Sequence, residues 1–89
     1  LAAIETPVEL WSRLFGLTQS EAKLLERLVA GDSVKESASH LDISEGTARQ
    51  YLKVIFQKMG ARRQADLIRI VANTPLWMRK IDQSSQFLY

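Results

Sequence analysis

The sequence predicts an all-α protein: a compact four-helix (tetrahelical) helix-turn-helix domain with a short extra N-terminal helix. Apolar residues recur at spacings of three and four, with almost no strand-like alternation. Ser and Thr precede several apolar segments and Gly follows them, which divides the chain into short helices. An eight-residue helix and a longer one, separated by a tight turn at residues 42–44, form the helix-turn-helix pair.

Length and composition indicate one globular domain. The chain has 89 residues, 46% of them hydrophobic and 25% charged. It has no Cys, which excludes disulfides and thiolate metal sites and suits a reducing cytosol, so we expect a cytoplasmic protein. The longest segment without charge is residues 70–78, far shorter than the ~20 residues of a membrane helix. Because no Met opens the chain, we expect it to be part of a longer protein.

The first two helices are marked by their ends. Pro7 opens the segment PVELWSRLF, and Gly16 follows it. Thr18 and Glu21 have the spacing of a capping box, in which each side chain bonds the other residue's backbone amide. This box predicts a helix to about residue 30 that ends at Gly31.

The helix-turn-helix pair comes next. Ser33 and Glu36 repeat the capping box and open a short helix to about Leu41. Asp42 lies where the chain turns, and Asp tolerates a left-handed backbone better than most residues with a side chain. Ser44 is a good cap for the long helix 45–59, which Gly60 ends.

The fourth helix of the domain is predicted at about residues 63–73, with Thr74-Pro75 closing it. The predicted organisation is therefore a linker with a short helix at 1–16, the domain at 17–73 and a tail at 74–89. The tail either packs on the domain through Leu76 and Trp77 or frays, and its pattern does not decide between them.

The long helix has two faces. Its apolar stripe, at steps of four, three and four, consists of Ala48, Leu52, Ile55 and Met59 and is predicted to face the core. Arg49, Gln50 and Lys53 lie together on the other side within the first two turns. Arg suits guanine and Gln suits adenine, while Lys donates to a base or a phosphate, so these three are candidate contacts to DNA bases in the major groove.

The charge distribution agrees with a polyanionic partner. Residues 1–44 have a net charge of −3, whereas residues 45–63 have +4. Ser44 and Thr47 flank the helix start, where free amides and the helix dipole favour a phosphate. Tyr51 is interpreted as a partly buried packing residue whose hydroxyl could alternatively reach a phosphate. Lys58 is too far along the helix to contact bases and is either a backbone contact or a surface charge.

Four motifs occur in order and without gaps between Leu17 and Val71. They are Leu17-Thr18 with Glu21; Gly31, Ser33, Lys35-Glu36 and Ala38; Leu41, Ile43-Ser44 and Thr47-Ala48; and Lys58-Met59-Gly60 with Leu67. Together they resemble the LuxR/GerE-type DNA-binding domain of bacterial transcription regulators. Asp42 replaces the usual Gly of the turn, Ala48 the usual Val and Tyr51 the frequent His, and Arg63-Gln64 stands where Ser or Thr followed by Arg is common.

The resemblance implies that the third helix of the domain enters the major groove of double-stranded DNA. It implies base contacts from Arg49, Gln50 and Lys53. It also implies phosphate contacts from Ser33, Lys35, Ser44, Thr47 and Lys58. The fourth helix often forms a dimer contact in this family, so we expect a homodimer with Leu67, Ile70 and Val71 on its face. The alternative is that these apolar residues belong to the core of a single domain. An upstream sensor domain is expected, and no cofactor or metal.

Three other functions fit the sequence less well. A sigma-factor region-4-like domain shares the helix plan, but Lys58-Met59-Gly60 followed by another apolar helix favours the regulator family. A helical protein-interaction module would be expected to carry an apolar stripe where Arg49, Gln50 and Lys53 lie. An enzyme is disfavoured, because His40 is the only His and no Cys, Gly-rich phosphate loop or acid pair supplies a catalytic site.

Overall fold

The structure is a computed structural model, and it describes residues 5–74. These residues form five helices, which are α1 (Pro7–Phe15), α2 (Gln19–Val29), α3 (Val34–Leu41), α4 (Glu45–Met59) and α5 (Gln64–Ala72). No strand occurs within residues 5–74, and the predicted all-α class is confirmed. The sequence-based alternatives for Leu76 and Trp77 concern residues outside this range. No helix in the described part of the chain is long and apolar enough to cross a membrane.

Reciprocal side-chain caps fix the starts of α2 and α3. Glu21 donates its backbone N–H to Thr18 Oγ1 over 3.1 Å, and Thr18 donates its own to Glu21 Oε1 over 2.9 Å. Ser33 and Glu36 form the same pair, at 3.0 and 2.8 Å. Both predicted capping boxes are therefore present. Thr6 and Glu9 form a third at the start of α1, with the same spacing, which the sequence analysis did not identify.

The turn between α3 and α4 depends on one left-handed residue. Asp42 has φ 58° and ψ 44°, as the sequence predicted, and its backbone N–H bonds back to carbonyls in the last turn of α3. Ile43 then donates its N–H to the Ala38 carbonyl over 3.0 Å, which turns the chain out of α3. The next residue, Ser44, caps α4, so the turn sets the angle between the two helices within three residues.

Helix α2 is the centre of the domain, because it packs against all four other helices. Its buried residues Leu24, Leu25 and Leu28 meet the apolar sides of the surrounding helices. The predicted stripe of α4 also lies inside: Ala48, Leu52 and Ile55 are buried, and Met59 packs against the core at its edge. With that stripe buried, the opposite side of α4 is left to the solvent.

Helix α5 begins without a side-chain cap from Arg63. Asp66 takes over this role, since its Oδ2 accepts the backbone N–H groups of Arg62 and Arg63, each over 3.1 Å. The sequence analysis placed Leu67 on a dimer face, but Leu67 is fully buried in the core of this chain. Leu67 therefore offers no exposed surface to a second copy, and a dimer face at Ile70 and Val71 stays a prediction.

Candidate nucleic-acid interface

The start of α4 is ordered by two hydroxyl groups. Ser44 Oγ accepts the Thr47 backbone N–H over 3.0 Å and donates to Thr47 Oγ1 over 2.9 Å. Ser44 is exposed and Thr47 is half-buried, so the capped start of the helix reaches the surface. The dipole of a fifteen-residue helix and its first amides favour an anion at this end.

The three candidate base contacts lie on the exposed side of α4. Arg49, Gln50 and Lys53 are all exposed and oppose the buried stripe. Arg49 is held by its neighbour one turn earlier, since its Nη2 lies 2.6 Å from Glu45 Oε2. The side chains of Gln50 and Lys53 have no hydrogen bond or ion pair to other residues in the range 5–74. The ion pair between Glu45 and Arg49 was not predicted, although the i, i+4 spacing of these opposite charges indicates it.

Four of the candidate phosphate contacts lie in two pairs, at the starts of α3 and α4. Ser33 and Lys35 lie at the start of α3, where the Ser33 hydroxyl caps the helix and the exposed Lys35 makes no ion pair within the described part of the chain. Ser44 and Thr47 lie together at the start of α4. No hydrogen bond joins the two groups in residues 5–74, but both sit at helix N-termini, where backbone amides favour anions.

Lys58 has a partner that the sequence did not suggest. Its Nζ lies 2.8 Å from Glu21 Oε1, across 37 residues of chain, and the side chains are 34% and 8% exposed. Burial opposes ionisation of Glu21, but hydrogen bonds from the Lys58 ammonium and the Thr18 amide outweigh it, so the pKa of Glu21 is lowered. The end of the predicted DNA-binding helix is thus joined to the start of α2.

The outer side of α5 carries an apolar surface. Ile68 is 41% exposed and is the one large exposed apolar side chain in the described residues. Ile70 and Val71, which the sequence analysis placed on a dimer face, are half-buried and pack partly on the core. The sequence analysis did not select Ile68, although its position three residues before Val71 puts both on one side of the helix.

His40 is exposed at the end of α3. Its Nδ1 lies 2.9 Å from Asp32 Oδ2 and 3.2 Å from Arg27 Nη2. Arg27 Nε also donates to Asp32 Oδ2 over 2.8 Å, and the hydrogen bonds from Arg27 and His40 hold the pKa of Asp32 below its usual value despite its partial burial. The group connects the end of α2 to α3.

Comparisons with known proteins agree with this geometry. The profile of the family "Bacterial regulatory proteins, luxR family" matches residues 16–71. The chain is 33% identical over 66 residues to the transcriptional regulatory protein DesR of Bacillus subtilis (strain 168), covering 74% of this chain and 33% of DesR. It is 40% identical over 55 residues to the response regulator RamR of Streptomyces coelicolor, covering 62% of this chain and 27% of RamR. The chain therefore spans about a third or less of these relatives. No solved structure gives a significant match.

Proposed function

The chain belongs to the luxR family of bacterial regulatory proteins, and from this premise we propose that residues 17–73 bind double-stranded DNA sequence-specifically as the output domain of a transcription regulator. The observation that carries the proposal is the division of α4. One side is buried as a stripe of Ala48, Leu52 and Ile55, and the other presents only polar and charged side chains near the helix start. A helix of this kind fits the major groove with its first turns toward the base edges.

Arg49, Gln50 and Lys53 are the proposed base contacts. The exposed ion pair with Glu45 contributes little to stability, so it does not prevent Arg49 from exchanging Glu45 for a guanine edge. The pair orients the guanidinium in the free protein and keeps a carboxylate beside the groove. When Arg49 is displaced from its base, that carboxylate faces the acceptor atoms of the DNA without the guanidinium between them. The resulting repulsion adds to discrimination between sequences.

Phosphates on both sides of the groove are assigned to the capped helix starts. Ser33 and Lys35 serve at α3, and Ser44 and Thr47 at α4. Lys58 contributes less, because one of its three N–H donors is directed to Glu21. Lys58 is therefore the weakest of the proposed phosphate contacts. Its ammonium joins α4 to α2 through Glu21, and its remaining N–H donors contact the DNA backbone.

A symmetric dimer through α5 is also part of the proposal. With Leu67 in the core, the contact face consists of the exposed Ile68 with the half-exposed Ile70 and Val71. A two-fold dimer would bind two half-sites about one helical turn apart. Sedimentation of the domain with and without a two-site duplex tests this, and Ile68→Asp is expected to weaken pairing without unfolding the domain.

The whole protein is proposed to be longer and to receive a signal upstream of these residues. Two of its relatives are named a transcriptional regulatory protein and a response regulator, and this chain covers 33% and 27% of them. The domain described here would then be the part that engages DNA, with the tail 74–89 following it.

The salt dependence of duplex binding tests the DNA-binding proposal. Each neutralised phosphate contributes a slope of about −0.9 in a plot of log K against log salt. With several phosphate contacts we expect affinity to fall at least ~100-fold between about 50 and 200 mM salt. An affinity that is flat over this range, or no binding to any duplex in a random pool, would overturn the proposal.

A further inference from the structure

A cleft of about 320 Å³ lies beside the recognition helix α4, and no role has been assigned to it so far. Four segments line it: the first turns of α2, the end of α3, the turn and α4. The lining residues are Ser20, Lys23, His40, Leu41, Ile43 and Tyr51. Resting on the proposed function, we infer that this cleft holds a backbone phosphate of the bound DNA, with Lys23 and Tyr51 as its ligands.

The position of Tyr51 on α4 connects the cleft to the DNA-binding surface. Tyr51 follows Thr47 by four residues and Ser44 by seven, so the three lie along one edge of the helix. One turn of the helix advances about 5.4 Å, and each DNA strand carries a phosphate for about every 3.4 Å of its axis. A strand that runs along this edge of α4 from its capped start passes the mouth of the cleft.

The cleft offers donors without partners. The hydroxyls of Ser20 and Tyr51 and the ammonium of Lys23 make no hydrogen bond or ion pair to other residues in the described part of the chain. An ammonium with three N–H donors and two hydroxyls match the acceptor oxygens of a phosphate. Leu41 and Ile43 supply an apolar wall, which reduces competition from water.

The charges around the cleft also favour an anion that approaches it from α4. Asp32 Oδ2 accepts hydrogen bonds from Arg27 Nε and His40 Nδ1, so that carboxylate is already shared by two basic groups. On the far side of Lys23, a neighbouring cleft is lined by Glu9 and Glu26, but neither forms an ion pair with Lys23. These two carboxylates repel DNA, and we place the edge of its footprint between them and Lys23.

Two substitutions test the assignment on a duplex selected by the protein from a random pool. Lys23→Gln is expected to weaken binding about three- to tenfold at about 100 mM salt, and to reduce the salt slope by about 0.9. Tyr51→Phe, which keeps the ring, is expected to weaken binding by a smaller factor. Neither should change the preferred base sequence. Arg13→Gln on α1 is the matched control, because it removes the same charge outside the cleft, and it should leave the slope unchanged.

A duplex with single methylphosphonate linkages locates the contact. Removing the charge from the phosphate in the cleft should weaken the wild type, and the same linkage should have little further effect on Lys23→Gln. If Lys23→Gln keeps the wild-type affinity, slope and methylphosphonate profile while Lys35→Gln weakens binding, the cleft assignment is wrong and the proposed function stands. If the wild type itself shows no salt-dependent duplex binding, both are overturned.

Discussion

The ammonium of Lys58 lies 2.8 Å from Oε1 of Glu21, which joins the last turn of α4 to the first turn of α2. The same carboxylate oxygen accepts the Thr18 backbone N–H over 2.9 Å. One nearly buried side chain therefore caps the central helix and fixes the far end of α4. The angle at which α4 presents its exposed side depends on the turn at one end and on this ion pair at the other.

Removing the ammonium should destabilise the domain. Lys58→Met keeps the aliphatic stem but removes the ammonium that donates to the Glu21 carboxylate. The side chain of Glu21 is 8% exposed and that of Lys58 is 34% exposed, so the cost lies between those of surface and buried pairs. We expect the free energy of unfolding to fall by about 1–3 kcal/mol in urea titrations. Lys53→Met, on the exposed side of α4, should change it by less than about 0.5 kcal/mol. Equal stability of the two variants would contradict the role of the pair.

The same pair predicts a difference in acid sensitivity. The pKa of Glu21 is lowered from its ordinary 4.5, because the hydrogen bonds from Lys58 and Thr18 outweigh the opposing effect of burial. A lowered pKa in the folded state contributes stability above the unfolded-state pKa, and this is lost as pH falls through the folded-state value. Urea unfolding from about pH 7 to 3 should show a smaller loss of stability for Lys58→Met than for the wild type. Parallel pH profiles would exclude this contribution.

The left-handed turn residue offers a stability test of the helix-turn-helix geometry. Asp42 has φ 58°, where a Cβ atom is unfavourable and glycine has no penalty. We expect Asp42→Gly to raise the free energy of unfolding by about 0.5–1 kcal/mol, and Asp42→Ala to lower it by about 0.5–1 kcal/mol. Thermal and urea unfolding of the three proteins give the order. An Ala variant that is more stable than the Gly variant would show that the turn does not need the left-handed conformation.

Two serines of the α3 region should respond with opposite signs. Ser33 caps the helix by accepting the Glu36 N–H over 3.0 Å, so Ser33→Ala should cost about 1 kcal/mol. Ser37 is fully buried, and its hydroxyl has no hydrogen-bond partner among residues 5–74. Removing an unsatisfied buried hydroxyl should be neutral or raise stability by up to about 1 kcal/mol in Ser37→Ala. Urea titrations of both variants measure these changes in the free energy of unfolding. A decrease of more than about 1 kcal/mol for Ser37→Ala would indicate that the hydroxyl is hydrogen-bonded.

Local sequence signals predicted most of the fold. The capping boxes of α2 and α3 and the left-handed Asp42 depend on residues within a few positions of one another, and all three occur in the structure. The buried stripe of α4 was predicted because fifteen residues give a helical period several turns to repeat. The nine residues of α5 allow fewer turns, so its pattern could not separate the buried Leu67 from the exposed Ile68.

The candidate site was less predictable from sequence. The exposure of Arg49, Gln50 and Lys53 follows from the helical period alone. The partner of Lys58 is 37 residues away, and the donors of the cleft come from separate helices, so only packing brings them together. The spacing of residues in a sequence does not show which helix ends lie next to each other in the fold. A single sequence therefore reveals little about phosphate contacts that several helices share.

Base specificity gives the most direct test of the central claim, that Arg49, Gln50 and Lys53 of α4 contact DNA bases. Affinities of the wild type, Arg49→Ala and Lys53→Ala would be measured at fixed salt on a selected duplex and on all its single-base-pair variants. The proposal predicts a loss of about 1–3 kcal/mol on the selected duplex for each substitution, with relaxed preference at particular base pairs. If both substitutions weakened binding equally on every duplex, the base contacts assigned to these residues would be contradicted.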